Sequence, residues 1–170
     1  MMAALERRDL YLIAAAALLP RLLLVYFAPA TAGDWTVYQT VAENLLTNQC
    51  VSLSDPISGA CIPHWGGNQL PGFPWFIAAV WSIFPHQWIW VGLAQSLVIT
   101  VSTLYLANSV TPFFPSRHWS LAAGLLVALS PLVVPWARTT LPETLALAAT
   151  HLILAELARS YLQERLRVIP

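Results

Sequence analysis

Two carboxylates stand where so apolar a chain has little reason to put them. Asp34 follows a long apolar run closely and opens the stretch "GDWTVYQTVAENLL". Glu143 stands just inside another apolar run, after "WARTTLPE". Each has an ordinary use. Asp is a preferred helix N-cap and sits well at the positive end of the helix dipole. Glu143 has Arg138 nearby for a surface ion pair worth at most ~1 kcal/mol. Each also has a chemical use, because a carboxylate fixed at a helix start can take a proton from a hydroxyl or ligate a divalent metal. With Arg138, the two acids make a candidate anion or metal site. His64 is a further candidate metal ligand beside Glu143. Arg21 lies in the outer half of the first apolar run, where it either snorkels to the headgroups or binds a lipid phosphate. His151, two turns below Glu143, reads as a packed, hydrogen-bonded residue between helices. Cys50 and Cys61 share one polar stretch. They pair as a disulfide if that stretch faces an oxidising compartment, and otherwise stay thiols.

The elements that must position these residues are membrane elements. The chain has 170 residues, 58% hydrophobic and 9% charged, against ~25% charged in an ordinary soluble domain. Its net charge is zero and it has no lysine, so nothing points to nucleic acid. A spanning helix needs ~20 apolar residues. Leu10 to Phe27, Trp88 to Val110, Ser120 to Trp136 and Leu141 to Ala158 fit that length or come near it. Leu70 to Phe84 is shorter and interrupted by Pro71 and Pro74, which suits an interfacial or re-entrant helix. Cytoplasmic flanks collect arginine. With four spans and the N-terminus inside, Arg7, Arg8, Arg117, Arg159, Arg165 and Arg167 all fall on the cytoplasmic side. A spanning Leu70 to Phe84 would send most of them outside. The expectation is therefore an all-α membrane protein with about four transmembrane helices. Both termini are cytoplasmic, and residues 29–87 form one long outer loop within a single domain, 1–170. The N-terminal run imitates a signal peptide, but it exceeds the ~7–15 residues of such a core and carries Arg21, so it reads as a retained anchor.

That loop has structure written in it. Trp35, Tyr38, Ala42 and Leu45 recur on one face of a helix, an amphipathic helix lying on the outer membrane surface with Asp34 in its first turn. A polar stretch with both cysteines follows, and then a Gly/Pro-punctuated entry into the second surface element. Trp65, Trp75, Trp81, Trp88 and Trp90 suit an aromatic belt at the membrane boundary. No phosphate-binding Gly-rich loop, CxxC or HExxH motif occurs.

Four stretches together resemble the N-terminal part of the membrane module of the GT-C glycosyltransferases, in the branch of the protein O-mannosyltransferases, the lipid A aminoarabinose transferases and their bacterial relatives. "GDWTVYQTVAENLL" looks like the family's opening of the first outer loop. "NQLPGFPWFIAAVWSIFP" looks like its Pro-Pro-Gly-Tyr-Pro segment. "ANSVTPFFPSRHWSLAAGLLVALSPLVVPWAR" looks like the end of one span, a turn and the next span. "RTTLPETLALAA" looks like the arginine and acid of the following outer turn. The resemblance implies a transferase in the bacterial inner membrane. It would move a sugar from a polyprenyl phosphate carrier to an acceptor hydroxyl at the outer, periplasmic face, with inversion. Asp34 matches the catalytic base and Glu143 the second acid near the donor phosphate or a divalent metal, while Arg138 and Tyr38 match positions lining that site. Asn68 and Gln69 depart from the charged residue many relatives carry before the prolines. Relatives also have about twice as many spans or more. The second reading is thus a truncated, non-catalytic module that needs a partner chain or further helices. The third is an unrelated four-helix membrane protein such as a transporter subunit, which would put its polar residues at mid-membrane.

Overall fold

A computed structural model describes residues 4–27, 34–53, 57, 61, 72–130 and 142–168; the side chains of Asp34 and of 165–168 lie outside that description. Its order is α1 (Arg7–Phe27), α2 (Asp34–Thr47), α3 (Gly72–Trp81), α4 (Trp88–Val110), a 3-10 turn (Thr111–Phe113), α5 (Arg117–Ala128) and α6 (Glu143–Val168). Among the described residues there is no β-strand.

Among the described residues, three helices are long and apolar enough to cross a membrane: Arg7–Phe27, Trp88–Phe113 as α4 with its 3-10 turn, and Glu143–Glu164. Three of the expected spans therefore appear as long helices. The fourth expectation, Ser120 to Trp136, begins as α5, which runs for 12 residues, ~18 Å at 1.5 Å per residue; positions 131–136 lie outside the described residues. The short stretch expected at Leu70 to Phe84 is the 10-residue α3. Pro74 is tolerated there because the first turn of a helix has no intrahelical partner for its N–H groups.

Side-chain contacts fix the directions of the long helices. A Cβ built on Gly92 of α4 meets Val25 of α1, and one built on Gly124 of α5 meets Ile13 of α1 and Ala107 of α4. So α1 and α4 run antiparallel, with α5 alongside α1 in the same sense. Thr103 and Tyr105 of α4 and Phe113 of the 3-10 turn that follows it meet His151, Glu156 and Tyr161 of α6 in that order, so α4 and α6 run parallel. Two parallel neighbours require the intervening chain to return along the bundle, and α5 makes the first part of that return. The close approaches use small residues, as packing between helices in lipid generally does. Ile13, Ala17, Ala107 and Ala128 form one buried cluster.

The bundle has two unlike ends. At the charged end, Arg117 donates Nε–H to Asp9 Oδ2 at 2.6 Å and Nη2–H to Asp9 Oδ1 at 2.9 Å, and also pairs with Glu6. Arg8 pairs with Glu6 at 3.1 Å. Asp9 is buried and accepts the Glu6 backbone N–H at 2.9 Å, capping α1. The hydrogen bond to Asp9 holds the Arg117 guanidinium above its ordinary pKa. On the same end, Tyr105 donates to Glu156, and Arg159 donates to the Tyr105 hydroxyl. The other end is aromatic. There α2 and α3 pack on each other and on the start of α4, with Trp35, Tyr38, Ala42, Phe73, Ile77, Trp81 and Val91 in one core.

Candidate functional site

The aromatic end holds both sequence-predicted acids at helix starts. Asp34 is the first residue of α2 and Glu143 the first of α6. Such placement has a local cause: the first-turn N–H groups and the dipole favour a carboxylate. What orients α2 is its apolar face. Trp35 meets Trp81 edge-on at 6.2 Å between ring centroids, and Tyr38 meets Phe73 edge-on at 5.1 Å. Ala42 is fully buried. The helix expected to lie on the membrane surface thus rests on α3. Leu145 of α6 packs against the same cluster, so the start of α6 and the start of α2 belong to one assembly of side chains.

The other expected site residues divide. Tyr38 is buried with its ring in this core. Glu143 is exposed. Arg138 and His64 lie outside the described residues, as does the Asp34 side chain. Among the described residues no three His, Cys, Asp or Glu side chains gather as a metal site. Cys50 and Cys61 are disulfide-bonded, with Cα atoms 6.0 Å apart. The bond ties the stretch after α2 back to its C-terminal end, where the buried Asn44 donates to Ser52 O at 3.0 Å and accepts from Asn48 Nδ2 at 2.8 Å.

Two expectations are corrected. Arg21 does not snorkel: it is 1% exposed and points into the bundle, where it donates to Ala17 O and, at 3.1 Å, to Ala128 O. Its Nε and Nη2 have no hydrogen-bond partner. The reason is geometric, since Arg21 lies on the α1 face that carries Ile13, Ala17 and Val25 and faces the helices rather than lipid. Trp81 is no belt residue either. It is 4% exposed and sits in the core between α2, α3 and α4, whereas Trp75 is exposed.

His151 is buried and bonded between helices, as expected, but the sequence reading passed over the hydroxyl seam on α4 that meets it. Ser96 and Thr100 of α4 donate to the carbonyls of Gly92 and Ser96 at 2.8 and 2.7 Å. His151 Nδ1 lies 3.3 Å from Thr103 Oγ1 and 3.5 Å from Ser102 Oγ. The signal was present as hydroxyl residues at helical spacing within an apolar run. No family model matches the chain, and no curated protein or solved structure is significantly similar to it.

Proposed function

We propose that the chain is a membrane-embedded glycosyltransferase of the GT-C kind, working at the aromatic end of the bundle. One observation carries the reading beyond the resemblance: both candidate acids open helices whose first turns, through Trp35 and Leu145, pack in one cluster. A helix start is a place where a general base or a cation ligand can be held rigidly. Asp34 takes the proton from an acceptor hydroxyl. The hydroxyl oxygen attacks the anomeric carbon, and the bond from that carbon to the polyprenyl phosphate breaks with inversion. Arg138 offsets the charge on the departing phosphate. A divalent ion bound beside Glu143 would supply the same kind of charge.

Two features support a compartment for each end. A disulfide persists where the surroundings oxidise, which supports an aromatic end that faces outward. Arg7, Arg8, Arg117 and Arg159 lie at or near the charged end, which reads as cytoplasmic by the arginine rule. The parallel course of α4 and α6 supports reading the return that α5 begins as a fourth crossing, with both termini cytoplasmic. A carrier lipid in the outer leaflet then delivers its sugar beside α2.

The test is direct. The purified chain in lipid nanodiscs is given a radiolabelled polyprenyl-phosphate hexose together with a mixed set of acceptor alcohols and saccharides. Label leaving the lipid for an acceptor supports the reading. A folded protein that moves no label to any acceptor favours instead a non-catalytic module acting with a partner chain.

A further inference from the structure

A cleft of about 460 Å³ opens beside the first turns of α2, between that helix and the turn joining α3 to α4. Its size falls within the ~300–1,000 Å³ of small-molecule sites. Trp35, Trp81 and Trp88 supply aromatic walls, and Gln39, His86 and Gln87 supply polar tips. No charged side chain is among the described residues that line it. We infer that this cleft binds a pyranose ring.

The chemistry selects that ligand over others. A pyranose presents a face of C–H groups that stacks on an aromatic ring, and a rim of hydroxyls that both donate and accept. Side-chain amides also do both, and an imidazole adds two ring nitrogens that can bond a hydroxyl. A phosphate or carboxylate would call for a lining cation, which the described walls do not offer. A purely apolar ligand would displace water from these polar tips without replacing its hydrogen bonds.

The cleft is also held in shape before any ligand arrives, which lowers the ordering cost of binding. His86 stacks on Trp81 at 5.0 Å between ring centroids with 15° between planes. Trp81 Nε1–H donates to Gln87 O at 3.3 Å, pinning the turn that carries both polar residues. Phe84 stacks on Trp90 at 4.8 Å and closes the turn from behind. Gln39 Nε2 donates to Glu43 Oε1 at 3.0 Å, which fixes the amide while using one of its two N–H groups. Trp81 and Trp35 are buried as the floor, and Trp88 is half-buried, presenting the wall on which a ring can lie. Trp35 follows Asp34 directly, so the cleft adjoins the proposed base. In this respect the inference rests on the transferase reading and names its ligand class, although ring binding itself requires no transfer.

The experiment uses the full chain in detergent with methyl α-pyranosides of glucose, mannose and galactose as probes, read by saturation-transfer NMR. At least one probe should receive saturation at its ring C–H protons. Trp88→Ala should weaken that binding at least tenfold, and Gln39→Ala severalfold. Trp88→Phe, which keeps an aromatic face, should stay within threefold of the wild type. In the transfer assay, a pyranoside that becomes glycosylated marks the ring as the acceptor's. One that slows transfer without being glycosylated marks it as the donor's. If no probe receives saturation beyond the level seen in Trp88→Ala, or if Trp88→Ala and Gln39→Ala both bind like the wild type, the inference falls. Transfer that persists alongside such a result leaves the transferase reading standing alone. Ring binding without any transfer does the reverse.

Discussion

Removing the Cys50–Cys61 bond should loosen one segment and little else. The sequence separation is 11. In the loop-closure treatment, a bond across that span removes ~9 cal/mol/K from the open ensemble, which is ~2.8 kcal/mol at room temperature. That corresponds to about a hundredfold in the ratio of closed to open forms. The hydrogen bonds from Asn44 to Ser52 O and from Asn48 to Asn44 survive in a Cys50→Ser/Cys61→Ser double variant, so residues up to Ser52 stay anchored to α2. The gain in opening should therefore appear between 53 and 71. Thermolysin digestion of detergent-solubilised protein, with fragments identified by mass spectrometry, reads it, because cleavage tracks the open population when closing is fast. Cleavage within that segment should rise by roughly the same hundredfold while helical circular dichroism stays unchanged. A rise below threefold, with the wild-type bond verified as intact, would refute the reasoning: the segment would then be held by packing rather than by the covalent tie.

Three further outcomes follow from the helix bundle. Gly92→Ala puts a methyl 3.0 and 3.1 Å from the two Val25 methyls, and a β-branched side chain cannot swing away; the thermal midpoint should fall by an amount worth ~1–3 kcal/mol and recover in part with Val25→Ala. Arg21→Met replaces a buried guanidinium with two unpartnered nitrogens by an apolar chain of similar length, so thermal stability should hold or rise by up to ~4 kcal/mol; a clear fall would mean that its bonds to Ala17 O and Ala128 O outweigh its desolvation. A reporter fused after Pro170 should read cytoplasmic and a label on Asp55→Cys external, and a split result in either direction would overturn the topology.

Much of the frame could be read from the chain because it depends on local periodicity. The face Trp35, Tyr38, Ala42 and Leu45 is the face that α2 buries against α3 or leaves partly buried beside it, and the prolines at 71 and 74 marked the entry into a short helix. What covers that face was not legible. An apolar stripe meets lipid or protein equally well, and the choice of α3 was made by ring packing between residues some 40 positions apart, Trp35 on Trp81 and Tyr38 on Phe73. The same limit hid the charged end, where Asp9 and Arg117 meet across a sequence separation of 108. Arg21 was misread because an arginine in an apolar run looks alike from either face of its helix. Only the positions of Ile13, Ala17 and Val25 on the buried face show which way it points. The cleft left a trace in "FPHQWIW", where a polar pair interrupts an aromatic run, but its chemistry depends on Gln39 from another helix.

The account turns on Asp34 as the base. The measurement that reaches it is single-turnover transfer from a labelled polyprenyl-phosphate sugar by the wild type, Asp34→Asn and Asp34→Glu, each verified as folded by circular dichroism and by retention of the Cys50–Cys61 bond. General-base catalysis contributes about 10²–10⁴-fold, so Asp34→Asn should lose at least a hundredfold in the transfer step while lipid donor still binds, and Asp34→Glu should recover part of it. Transfer by Asp34→Asn within threefold of the wild type would contradict the account and return Asp34 to the role of a helix cap.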